Sequence, residues 1–372
     1  MLTTHRKFVF FSLLIPLPFI LILLILLYIR DPFWFFHKPY FREESFMRDM
    51  RMQARGIILH KDFDSAIIGT SMLENTSAKE ANDKLGSKWV NLSLGGSSFA
   101  LRSIILDYLF KHKNIKNIIY SLDIRSLNNL EKPKDENFLA LYNDDVAKLF
   151  KIYLSSRFVN CALTFSKKEK CIGKNNLDTL TNWWIQDQKY FGGFKKWNKE
   201  WWQDNFFQNE ILQAEDFKPN FNIDISDFKS YVEKYILTHV KKNYKTQFYF
   251  IIPSYSRLNY RKLSYGEYYN KDSELFSKYY AILSWFIKET KKYPNVKIYG
   301  FDDLDYADNI ANYKDPAHYN IDMNSMQLDA IKNNTHILTP QNMSEYFSTM
   351  EEKIRNYDLT PFIDYIKKIK QE

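Results

Sequence analysis

Short apolar runs alternate with stretches of helical periodicity in two parts of the chain, residues 63–123 and 226–340. The runs at 65–69, 89–93, 115–122, 248–252 and 296–299 are rich in Ile, Val and aromatic residues and stop at Gly, Pro or polar clusters, which predicts five strands. Between the second and third, residues 99–110 carry apolar side chains at helical spacing and lead into Lys111, His112 and Lys113, cations suited to a helix C-terminus. A second helix is predicted over 273–292, between the last two strands. Strand and helix in alternation predict an α/β domain with a mainly parallel sheet. The rhythm is lost over 124–225, which reads as one inserted, mostly helical cap, and returns to helix over 341–372.

One run is longer than any strand. Residues 8–29 contain no charged side chain and, as a helix, would span roughly 33 Å, the thickness of a bilayer core. A cleaved signal peptide has a shorter apolar stretch followed by small residues, whereas here Arg30, Asp31, Pro32 and Phe33–Trp34–Phe35–Phe36 follow. The expectation is an uncleaved signal anchor. His5, Arg6 and Lys7 place residues 1–7 in the cytoplasm, 30–62 become a juxtamembrane segment, and the aromatic tetrad takes the place of an interfacial belt. The remainder then lies outside the cytoplasm, in the periplasm or its equivalent. Cys161 and Cys171 suit that compartment, where they can close a short loop; two buried free thiols are the alternative.

Composition narrows the picture less. In 372 residues there are 30 Phe, 26 Tyr and 8 Trp but only 10 Gly, and 45% of the chain is hydrophobic, which excludes a disordered or collagen-like chain. The net charge of +8 would suit an anionic partner, but the whole chain favours Lys, Asn, Ile, Phe and Tyr, as a general compositional bias would, and no run of Lys and Arg is dense enough for a nucleic-acid patch. With two Cys, a four-Cys zinc site is excluded, and neither metal nor organic cofactor is implied. Trp183, Trp184, Trp197, Trp201 and Trp202 cluster in the cap. Such rings stack on sugars, yet the i, i+4 spacing of Trp197 and Trp201 equally suits a buried helix face.

In open α/β sheets ligands bind beyond the carboxyl ends of the strands. The loop after the first strand, Gly69-Thr70-Ser71-Met72, offers a serine hydroxyl where the strand is expected to turn into a helix, together with the Ser71 N–H as an oxyanion donor. The second loop contains Gly95 and Gly96, whose N–H groups can approach a developing oxyanion, and Ser97 or Ser98 to cap the next helix. After the fifth strand, Asp315 and His318 are three apart, so the carboxylate can hold the Nδ1 proton while Nε2 faces the serine. Ser71, Asp315 and His318 therefore form a candidate nucleophile–base–orienter set. Asp123, Arg125 and Tyr255 border the same edge and are candidates for polar substrate binding, or for a plain ion pair and turn.

These residues resemble the SGNH (GDSL-type) hydrolases and acyltransferases. Ser71 in Gly-Thr-Ser-Met is similar to the first family block, Gly95 or Gly96 to the second, and Asp315 with His318 to the last. With the N-terminal anchor, the layout resembles the envelope branch, which includes the membrane-anchored protein of teichoic-acid D-alanylation and, more loosely, polysaccharide O-acetyltransferases. The resemblance implies a three-layer flavodoxin-like fold, a serine esterase or O-acyltransferase, an envelope glycan or glycolipid substrate, and a membrane acyl-donor protein if transfer is the reaction. Two positions depart from the pattern. Thr70 stands where the family usually has Asp, and Tyr120-Ser-Leu-Asp123 lacks the third-block Asn that donates to the oxyanion.

Overall fold

The computed structural model describes residues 2–128, 130, 136–197, 205–214, 217–261 and 272–371. Trp201 and Trp202, and with them the proposed spacing from Trp197, lie outside the described residues. The chain divides into two compact units, Met1–Asp62 with Pro133–Leu180, and Phe63–Lys132 with Thr181–Glu372. The stretch expected as a single cap is thus divided between them.

The larger unit is an α/β domain on a five-stranded parallel sheet. Its strands are β1 (Ser65–Ile68), β2 (Trp89–Asn91), β3 (Asn117–Ser121), β4 (Gln247–Ile252) and β5 (Val296–Gly300), in the order β2-β1-β3-β4-β5. Every pairing is parallel, with Ala66 opposite both Val90 and Ile118. β1 and β2 are buried along their whole length, which explains near-continuous apolar runs rather than alternation. β2 and β3 flank β1 on opposite sides, so the carboxyl ends of β1 and β3 border the point where the winding reverses and a crevice opens.

The helices are α1 (Ala78–Leu85), α2 (Phe99–His112), α3 (Asp272–Thr290), α4 (Ile321–Asn333) and α5 (Met343–Arg355), besides shorter ones and a last helix, Thr360–Gln371. No helix starts at Ser71. Residues 71–75 form a turn, and α1 begins only after Ser77, whose Oγ accepts from Glu80 N at 3.0 Å. Ser77 and Glu80 have the spacing of a capping box, a stronger local signal than the apolar Met72 and Leu73, which go into the core. At α2 the cap is Ser98, which accepts from Leu101 N.

The smaller unit carries two consecutive helices, Leu2–Leu14 and Pro16–Arg30, and the stretch His5–Arg30 is long and apolar enough to cross a membrane. The aromatic tetrad corrects the sequence reading. Phe33, Trp34 and Phe35 are at most 2% exposed, and Phe33 and Phe35 stack on Tyr153, so they form a protein core rather than a lipid-facing belt. Asp31 turns the chain inward: its carboxylate accepts from the N–H groups of Phe35, Phe36 and His37 and from the Tyr153 hydroxyl. His37 is likewise buried, between the carbonyls of Tyr28 and Lys38. Cys161 and Cys171 are joined in a disulfide, with their Cα atoms 5.5 Å apart.

Candidate active site

Two loops at the carboxyl edge of the sheet, one after β1 and one after β5, bring Ser71, His318 and Asp315 together. Ser71 Oγ lies 2.8 Å from His318 Nε2, and His318 Nδ1 lies 2.7 and 2.9 Å from the two Asp315 oxygens. A proton on Nδ1, facing the carboxylate, leaves Nε2 as the acceptor for the serine hydroxyl. Asp315 Oδ1 also accepts the N–H groups of Ala317 and His318. Burial pushes the Asp315 carboxyl up, but the His318 charge and hydrogen bonds, with Lys314 alongside, outweigh it and hold the group at about 2. It is therefore ionised at neutral pH.

Each loop is fixed by buried polar contacts. After β1, the Leu73 and Thr76 carbonyls accept from Asn91 Nδ2, and the Met72 carbonyl accepts from Tyr319 Oη and Asn324 Nδ2. The Ser71 carbonyl accepts from Trp183 Nε1 at 2.9 Å. Gly69 is required by space, since a Cβ there would sit 2.7 Å from Ser121 Oγ and 2.9 Å from Leu73 Cβ. The histidine loop is pinched by a bridge between Tyr313 and Tyr319. It is braced by Ser256, whose N and Oγ both donate to the Pro316 carbonyl, and by Ser254, whose Oγ is 3.1 Å from Tyr313 Oη.

Trp183 touches more of the site than the sequence suggested. Its ring meets His318 edge-on at 5.4 Å, and Lys314 Nζ, paired with Asp187, lies 3.8 Å above it. Trp197 is buried and donates through Nε1 to the Tyr313 carbonyl. Trp183 and Trp197 thus pack on the loops that carry Ser71, Asp315 and His318, while Trp184, the third described ring of the group, is half-buried at the start of the next helical turn. No feature of spacing distinguishes them from the other Trp residues.

The candidate oxyanion donors differ in availability. Gly95 N–H donates to Glu74 Oε1 at 2.8 Å, a contact with no signature in the sequence pattern. Ser71 N–H and Gly96 N–H have no hydrogen-bond partner among the described residues, and Gly96 adopts φ +64°, the left-handed backbone that glycine tolerates. Asp123 is 2% exposed, and its ion-pair partner is Arg102 of α2, at 3.0 Å, not Arg125. It also accepts from Thr70 Oγ1 at 2.6 Å and Ser121 Oγ at 2.7 Å, linking the ends of β1 and β3. Arg125 is exposed on the short helix after β3. Tyr255 is buried, with its Oη accepting from Ile124 N and its own N–H donating to Asp302. Asp123 is therefore engaged by the side chains of Thr70, Ser121 and Arg102, Tyr255 by the backbone of Ile124, and both are buried.

A second serine–histidine contact, Ser103 Oγ to His239 Nε2 at 2.7 Å, joins α2 to the helix Thr238–Lys242. Both residues are buried, so it is a packing contact between helices. Among the described residues, no group of three or more His, Cys, Asp or Glu is placed to hold a metal ion. No known family's model matches the chain, and no curated protein matches it.

Proposed function

We propose that the protein is a membrane-anchored, extracytoplasmic serine esterase or O-acyltransferase of the SGNH type, acting on acyl esters of an envelope glycan or glycolipid. The observation that carries this reading is the Ser71–His318–Asp315 relay at the point where the winding of the sheet reverses. The strand order 2-1-3-4-5 is that of flavodoxin-like sheets, which supports the expected fold. Ser71 Oγ attacks the ester carbonyl while His318 Nε2 takes its proton. The tetrahedral oxyanion is received by the N–H groups of Ser71 and Gly96. Collapse expels the alcohol, which carries away the proton from His318, and leaves the acyl group on Ser71. Water or a glycan hydroxyl then attacks that ester, its proton passing to His318; as the Ser71 Oγ–acyl bond breaks, His318 returns that proton to Ser71 Oγ and the acyl group leaves as acid or as a new ester.

The apolar stretch His5–Arg30 supports anchoring, and His5, Arg6 and Lys7 before it favour a cytoplasmic N-terminus with the sheet domain periplasmic or otherwise outside. Ser71→Ala is expected to abolish labelling by a fluorophosphonate probe and to lower kcat by roughly 10⁴ or more. Undiminished labelling would remove Ser71 as nucleophile. A second reading, a non-catalytic envelope assembly protein, is favoured by the occupied Gly95 N–H and the absent third-block Asn, because each missing oxyanion donor costs about 10²–10³ in rate. Full complementation of a deletion strain by both Ser71→Ala and His318→Ala would establish that reading. Mass spectrometry of envelope glycans from wild-type and Ser71→Ala strains identifies the ester concerned.

A further inference from the structure

The disulfide-closed loop beside the anchor exposes apolar and basic side chains together. Helix Ser156–Leu163 packs against helix Pro16–Arg30, and the Arg30 guanidinium donates to the Ser166 carbonyl, so the loop is tied to the end of the anchor within one unit. Leu163 is 56% exposed and Phe165 59%. Phe165 adopts φ +49°, a left-handed conformation that disfavours a bulky residue and that the turn imposes. Cys161 and Cys171, both buried, hold the base of this loop, and Arg157 Nε donates to the Lys170 carbonyl. Lys167, Lys168 and Lys170 are exposed and have no ion-pair partner among the described residues, while the intervening Glu169 pairs with Lys174. In the segment after the anchor, Phe41 is 84% exposed and Tyr40 58%, and Tyr40 stacks on His37, which in turn meets Tyr28 of the anchor.

We propose that Leu163, Phe165, Tyr40 and Phe41 form an interfacial collar around the anchor, seated in the acyl–headgroup boundary of an anionic bilayer, with Lys167, Lys168 and Lys170 on lipid phosphates. Large apolar side chains beside unpaired cations are what such a boundary accepts, and the collar is continuous with the helix that enters it. Anionic headgroups draw each basic side chain near the surface, so the collar discriminates by lipid charge as well as by depth. It fixes the juxtamembrane unit on the membrane rather than leaving it on a tether. The inference rests on the anchor reading above.

The test places a photoactivatable diazirine side chain at Ile22, Leu163 or Phe165 in the full chain, reconstituted in phosphatidylcholine vesicles with or without phosphatidylglycerol. Lipid adducts are expected at all three positions, with the yield at Leu163 and Phe165 rising severalfold when phosphatidylglycerol is present. The variant Lys167→Gln/Lys168→Gln/Lys170→Gln is expected to lose that rise. Adducts at Ile22 with only water or protein adducts at Leu163 and Phe165 would overturn the collar and leave the anchor standing. A yield indifferent to phosphatidylglycerol would overturn its anionic preference. Absence of lipid adducts at Ile22 would overturn the anchor and the collar together.

Discussion

Asp315 is the residue whose charge the site depends on most. Its folded value of about 2 lies below the ordinary carboxylate value of about 3.9, so as pH falls the unfolded chain takes up this proton first. Its contribution to stability is complete above about pH 4 and is lost as pH falls toward about 2. Asp315→Asn is expected to destabilise the fold at neutral pH and to cost nothing near pH 2, read from urea titrations at both. The same variant should lower kcat by roughly 10⁴, because an amide no longer fixes the Nδ1 proton. Asp123 lies in a buried ion pair with a different vulnerability. Asp123→Ala leaves Arg102 buried without its counter-charge and is expected to cost about 3–5 kcal/mol of unfolding free energy. The meeting of Ser71, Asp315 and His318 was readable in the sequence, because each follows a recognisable strand and the Asp–His spacing is local. The partner of Asp123 was not. Arg125 is its neighbour in sequence, but Arg102 reaches it from α2 across the sheet, and only tertiary packing determines that.

Among the elements, the turn between β1 and α1 does the work first assigned to a helix start. It is held by side chains from β2 and α4, from Tyr319 of the histidine loop, and from Trp183, so the position of Ser71 is a property of several elements at once. Gly69→Ala tests this. A methyl group there meets Ser121 and Leu73 inside contact distance, and the expected loss is about 1–3 kcal/mol of stability with slowed fluorophosphonate labelling as the turn shifts. The strands were legible because fully buried parallel strands are nearly unbroken apolar runs. The turn was not, because Met72 and Leu73 prolong the apolar pattern while Ser77 and Glu80 decide where the helix begins. A related ambiguity governed Phe33–Trp34–Phe35: lipid and protein core select the same residue types, and the carboxylate of Asp31 folds them inward.

At the scale of the whole molecule, the two units interleave along the chain. Residues 1–62 form one body with 133–180, so a chain begun at residue 63 strands Tyr153 and Phe158 without Phe33 and is expected to aggregate. Joining residues 63–132 directly to 181–372 removes the whole smaller unit and keeps all five strands with Ser71, Asp315 and His318. That shortened protein is expected to be soluble and to label with fluorophosphonate at Ser71, as measured by gel filtration and tryptic mapping. The sheet order also sets a timetable for biogenesis. β3 sits between β1 and β4, yet β4 begins at Gln247, long after β3 ends at Ser121. At ribosomal speeds of about 5–20 residues per second, one edge of the central strand waits roughly 6 to 25 seconds for its neighbour. During that interval the nascent protein presents an open strand edge, which places a premium on whatever shields that edge until the last third of the chain arrives.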